Sequence, residues 1–114
     1  MIVVRIIMNV FPEKRKEVIQ TLLSIIKSER IQHGKNLEWP GIGYDILCDI
    51  EDINIFNLIS TWETRKHLEK HLKSDRFSVL LGTKSLLCEP LDIQIFTISN
   101  IEGFEIVQSL RKPN

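Results

Sequence analysis

Cysteine is nearly absent from this chain. There are two in 114 residues, Cys48 and Cys88, forty positions apart, with no C-x-x-C pair and no adjoining histidine cluster. That excludes a disulfide framework and a cysteine-held cluster, and reduced thiols in a cytosolic protein are the expectation. Charge of one sign is also missing: 15 Lys+Arg against 15 Asp+Glu give a formal net charge of zero. Nucleic-acid binding draws its affinity from basic residues that neutralise phosphates, so no nucleic-acid partner is expected. Near-zero charge also leaves little self-repulsion to oppose association. Long apolar runs are lacking too. Ile2–Val4 and Ile6–Met8 are split by Arg5 and far too short to span a bilayer. Arg5 also interrupts any secretory signal, and no small-residue cleavage site follows. No glycine-rich phosphate-binding loop occurs among the five glycines. These absences lead to a cytoplasmic reading with no membrane partner.

What is present suffices for one folded domain. With 43% apolar residues, 114 residues bury an unaided core. Met1–Phe11 is rich in Val and Ile and reads as a strand. Pro12 is compatible with the first turn of a helix. Val18, Ile19, Leu22, Leu23, Ile25 and Ile26 then recur at helical spacing, predicting an amphipathic helix that ends near His33-Gly34. Lys35–Gly43 reads as a loop. Tyr44–Ile50 and Ile53–Trp62 read as strands joined at Glu51-Asp52 into a hairpin. Thr64 is a candidate N-cap for a helix over Arg65–Lys73, and Ser74 for one over Asp75–Leu81 with Gly82 as its stop. Leu91–Ile98 reads as the last strand. A weakly apolar tail follows, so the chain divides into a domain at 1–98 and an extension at 99–114.

The order β-α-β-β-α-β predicts an α+β, ferredoxin-like fold with a four-stranded antiparallel sheet backed by two helices. Such a sheet alternates apolar and polar residues when its second face meets water. Here Ile2, Val4, Ile6, Met8 and Val10 lie opposite Val3, Ile7 and Phe11, while Phe56 and Leu58 lie opposite Ile55 and Ile59. Leu91, Ile93 and Ile95 likewise oppose Phe96 and Ile98. Both faces call for burial and two helices cover one, which points to a homodimer through the sheet, an apolar pocket, or both.

Several positions together carry a family resemblance. They are Pro12 at the helix start, Pro40-Gly41 before Tyr44-Asp45, Asp49 before Glu51-Asp52, and Trp62 with His71 nine residues later, then Ser74 and Phe77. In order and spacing, residues 1–98 resemble the antibiotic biosynthesis monooxygenase (ABM) family. The resemblance implies a dimeric α/β barrel. It also implies oxidation of a small aromatic quinol or hydroquinone without a cofactor, although relatives on this fold isomerise small molecules or degrade haem. Lys35–Trp39 stands as an insertion against the family pattern. The haem-degrading arrangement does not match, since Asn9 lies too near Pro12 and Leu72 stands where their histidine falls.

Within this frame the catalytic candidates are Trp62 and His71. Trp62 would line the pocket and donate its indole N–H to a quinol oxygen, or else be a core residue bonded to a backbone carbonyl. On the helix, His71 lies about 80° and His67 about 120° from the stripe centred by Leu68 and Leu72. His71 therefore borders the core and His67 faces water. An imidazole there accepts a phenolic proton, or simply closes the helix onto the sheet through a hydrogen bond. Tyr44, Phe77, Asn57 and Arg5 are the candidate substrate-binding residues. Arg5 has an ion pair at an edge or interface as its alternative, and Asn57 alternates opposite Trp62. Trp39 would lid the pocket or pack. Glu63, His67 and His71 at i, i+4 and i+8 are a possible metal set, but no second cluster supports them and no metal is expected. Cys48 and Cys88 read as packing residues. The function expected first is a cofactor-independent monooxygenase; the alternative is a non-catalytic dimeric ligand-binding or regulatory module of the same fold.

Overall fold

A computed structural model describes residues 1–33 and 41–113. Lys35–Trp39, with Trp39, lies outside the described residues. In chain order the elements are β1 (Ile2–Asn9), α1 (Arg15–His33), β2 (Gly41–Cys48), β3 (Ile55–Trp62), α2 (Arg65–Leu72), α3 (Asp75–Leu81), β4 (Asp92–Thr97) and α4 (Phe104–Arg111). Short 3-10 turns at Pro12–Lys14 and Gly82–Leu86 precede α1 and follow α3. The sheet order is β2-β3-β1-β4, all antiparallel, which is the ferredoxin-like arrangement.

Strand alternation assigns the faces. Ile2, Val4, Ile6 and Met8 of β1 and Phe56, Leu58, Ser60 and Trp62 of β3 point toward the helices and are buried. Val18, Leu22, Ile25 and Ile26 of α1 close over them with Leu68, Phe77 and Leu80. Burial of each such aliphatic side chain contributes about 2 kcal/mol before entropy is counted. Leu23 falls outside this stripe and is 56% exposed, because it lies one residue, or 100°, from Leu22.

Both predicted caps are present. Thr64 accepts the His67 N–H at the start of α2, and Ser74 accepts the Phe77 N–H at the start of α3. As expected, α3 ends at Leu81 with Gly82 as its C-cap; Gly82 stays right-handed and opens the 3-10 turn. The hairpin differs from expectation. Its strands end at Cys48 and resume at Ile55, with a loop over 49–54 in place of a two-residue turn. Asp49 Oδ1 accepts the Glu51 N–H and Asp52 Oδ1 accepts the Asn54 N–H, so these side chains take donors the ladder would have used. At the other end of β2 one extra residue, Ile42, bulges between Gly41 and Gly43 opposite Trp62 and Thr61.

On the outer face Val3 and Ile7 are half-buried while Leu47 and Phe96 are exposed. β4 holds no buried residue at all. It is an edge strand, and the helices pack toward β2 and β3, leaving Ile93 and Ile95 at 38% and 37% exposure. The tail forms α4, which the sequence pattern did not suggest, and none of its residues is buried. Cys48 and Cys88 are free and exposed, contrary to the packing role expected of them. Cys48 sits at the end of an edge strand, where its thiol reaches the Ile53 carbonyl at 3.2 Å.

Candidate functional site

Four of the six candidate residues meet on the helix side of the sheet. Trp62 ends β3, and alternation turns it inward beside Ser60. His71 lies in the last turn of α2, and Tyr44 lies near the bulged start of the neighbouring strand. Phe77 lies in the first turn of α3. The link between the two short helices sets the last position. The Ser74 N–H and hydroxyl both donate to the His71 carbonyl, at 2.9 and 2.6 Å, while the same hydroxyl accepts the Phe77 N–H. One serine thereby closes α2, opens α3 and brings Phe77 against His71.

The result is an imidazole enclosed by three aromatic rings. Trp62 stacks on His71 with centroids 4.6 Å apart and planes at 29°. Phe77 meets it edge-on at 5.7 Å, and the Tyr44 ring is tilted at 5.6 Å. Tyr44 Oη and His71 Nε2 share a hydrogen bond. His71 is only 7% exposed, so this bond supplies a polar partner that burial demands. Either atom can be the donor. A neutral imidazole with a bare Nε2 accepts the phenolic hydrogen, and the other tautomer reverses the direction.

Trp62 is 2% exposed and its Nε1–H donates to Ser60 Oγ at 3.0 Å. Ser60, a buried polar residue two positions back on the same strand face, was not singled out from the sequence, although alternation places it there. The indole donor is thus committed within the protein, and Trp62 presents a ring face to His71.

Arg5 and Asn57 do not join this cluster. Both lie on the outer face, where the Arg5 Nε–H donates to Asn57 Oδ1 at 2.7 Å. Arg5 pairs with Ile59 and Asn57 with Ile7, positions opposite in parity to Trp62, so the sheet itself lies between them and His71. Their grouping with the pocket is corrected on that ground. The Glu63, His67 and His71 set also separates: His67 is exposed and its Nδ1 bonds Thr64 Oγ1 at 2.6 Å, while His71 is turned to Tyr44. Among the described residues no three His, Cys, Asp or Glu side chains are placed to share a cation.

An open groove of about 420 Å³ runs between α1 and β2, lined by Leu23, Ile26, Lys27, Tyr44, Asp45 and Ile46. Tyr44 belongs to both features, lining the groove and bonding His71 through its hydroxyl. The α1 side of this groove had no signal in the sequence, since Leu23 reads as core and Lys27 as a solvated charge.

The family model for antibiotic biosynthesis monooxygenase matches residues 1–80. The chain belongs to this family. A Bacillus subtilis (strain 168) relative named "Putative monooxygenase YcnE" is 27% identical over 94 residues, covering 82% of this chain and 93% of its own. Among solved structures, a conserved protein from Methanosarcina mazei Go1 superposes with a TM-score of 0.71 at 24% identity, covering 83% of this chain and 89% of that one. A structure named "Putative antibiotic biosynthesis monooxygenase from Nitrosomonas europaea" gives 0.74 at 18% identity, covering 88% and 100%. At these identities the structural matches speak to the fold. The ABM fold here carries its aromatic box on the helix side, and no helix among the described residues is long and apolar enough to cross a membrane.

Proposed function

We propose that this ABM-family chain is a cofactor-independent monooxygenase of a small aromatic quinol or anthrone-like phenol, with Tyr44 and His71 as its proton-handling pair. The observation that carries the reading is the hydrogen bond between Tyr44 Oη and the buried His71 Nε2, made by a tyrosine that also lines the groove. A phenolic substrate lying in the groove meets the Tyr44 hydroxyl first. Its proton passes through that hydroxyl to Nε2, forming an imidazolium, and the deprotonated ring becomes electron-rich.

Such a ring supplies the electrons itself. It transfers one to O₂, and the resulting radical pair joins at a ring carbon. Loss of water then leaves one oxygen atom as a carbonyl on that carbon. The other departs with the two hydrogens the carbon carried in its keto form. The protein's contribution is to hold the ring, exclude water and keep the proton acceptor in place. Trp62 and Phe77 serve by fixing the imidazole between their rings. Through its outer sheet face the protomer would pair with a second copy, which covers Val3, Ile7, Leu47 and Phe96.

Oxygen uptake with a panel of quinols and anthrones tests this reading. We expect turnover by the wild type and a loss of about 10²-fold or more in both His71→Ala and Tyr44→Phe, the usual scale for general acid–base catalysis. Oxidation of every active substrate at an unchanged rate by His71→Ala would falsify the assignment.

A further inference from the structure

The groove between α1 and β2 has a chemical asymmetry that defines what it would hold. Ile26 and Ile46 supply apolar lining with the exposed Leu23, and Tyr44 borders the groove as well. At its rim stands Lys27, an exposed cation that forms no ion pair among the described residues. Asp45 also borders the groove, but alternation turns its side chain to the outer face along with Leu47, since Tyr44 and Ile46 point inward. Its contribution at the rim is therefore main chain, on an edge strand whose outward N–H and C=O groups no other strand takes. Among the described residues, then, a cation with no ion pair borders an apolar slot, and another lining residue, Tyr44, is bonded to His71. The volume, about 420 Å³, lies in the range that accommodates small ligands.

We infer that this groove is the substrate entry and that it selects an acidic aromatic, a flat phenolic ring bearing a carboxylate. The carboxylate lies at Lys27, the ring on Ile26, Leu23 and Ile46, and the hydroxyl toward Tyr44. The inference rests on the reading of the Tyr44–His71 pair as the end of a small-molecule site, and it names the substrate class for it. Lys27 binds and orients; it takes no part in proton transfer. An exposed lysine–carboxylate contact is a modest interaction, so its signature is selectivity of a few-fold, and salt screens it.

The test uses three redox-inert naphthalenes with the full-length protein: 6-hydroxy-2-naphthoate, its methyl ester, and 2-naphthol. Affinities come from calorimetry and the site from amide chemical-shift changes. We expect 6-hydroxy-2-naphthoate to bind about fivefold tighter than the ester at low salt. The amides of Leu23, Ile26 and Ile46 should shift. The preference should persist in Lys27→Arg, and should vanish in Lys27→Gln and in 1 M NaCl. The inference is overturned if acid and ester bind alike, if no probe binds, if Lys27→Gln keeps the preference, or if the shifted amides lie elsewhere. Because none of these probes is turned over, the result is independent of oxygen uptake. Failure of the monooxygenase reading with an intact acid preference would leave a binding groove, whereas turnover of neutral quinols without that preference would remove only the role of Lys27.

Discussion

An indole whose N–H already has a partner cannot also hold a substrate oxygen without giving that partner up. Trp62 donates to Ser60 in an interior where both residues are under 5% exposed, so its role is that of a plane on which His71 rests. Two substitutions separate its polar and apolar contributions. Ser60→Ala strands a buried donor and is expected to cost about 1–3 kcal/mol. Trp62→Ala removes the ring as well and should cost about 3–5 kcal/mol. Urea titrations of the two variants check both values, and equal losses would mean that the ring's packing contributes little. The Ser60 partnership could have been read from the i, i+2 parity of β3. The Tyr44–His71 bond could not, because 27 residues separate the two side chains.

At the scale of elements, the short helices α2 and α3 depend on their caps. Eight and seven residues are too few to be stable alone, so each requires its terminal donors satisfied and its apolar face packed. Thr64→Ala is expected to lower stability by about 1 kcal/mol. Ser74→Ala should cost more, toward 2 kcal/mol, because that side chain also bonds the His71 carbonyl and sets the approach of Phe77. Chemical denaturation gives the difference. In the Ser74 variant a larger fall in substrate turnover than in Thr64→Ala would report the displaced His71–Phe77 contact. Both caps are legible as Ser or Thr ahead of a helical pattern. The hairpin loop is less so, since Asp49 and Asp52 turn their carboxylates onto backbone donors and shorten both strands.

For the whole molecule, the outer sheet face and α4 are what one chain leaves uncovered. Substituting Ile7→Lys together with Phe96→Glu places opposite charges on the face proposed for pairing, away from the core side of the sheet. Sedimentation equilibrium is expected to give a dimer for the wild type and a monomer for the double variant, with the circular dichroism of the fold retained. A monomeric wild type would remove the pairing proposal. The helix α4 buries none of its residues. Its amides should therefore exchange with solvent orders of magnitude faster than those of β1 and β3 when the protomer is alone, as expected of an eight-residue helix without tertiary support. Protection in α4 comparable to the central strands would show that another surface holds it.

The sequence by itself determined the element order as far as β4, the inward stripe of β1 and β3, the caps of α2 and α3, and the family. All of these follow from local periodicity and from residue types at fixed short spacing. The tertiary structure decided which candidates share a site. It joined Tyr44 to His71 across α2 and β2, gave the Trp62 donor to Ser60, moved Arg5 and Asn57 to the far side of the sheet, and brought Lys27 to the rim of a groove against β2. The physical reason is that strand parity says which face a side chain takes, whereas register and helix placement decide whom it meets there.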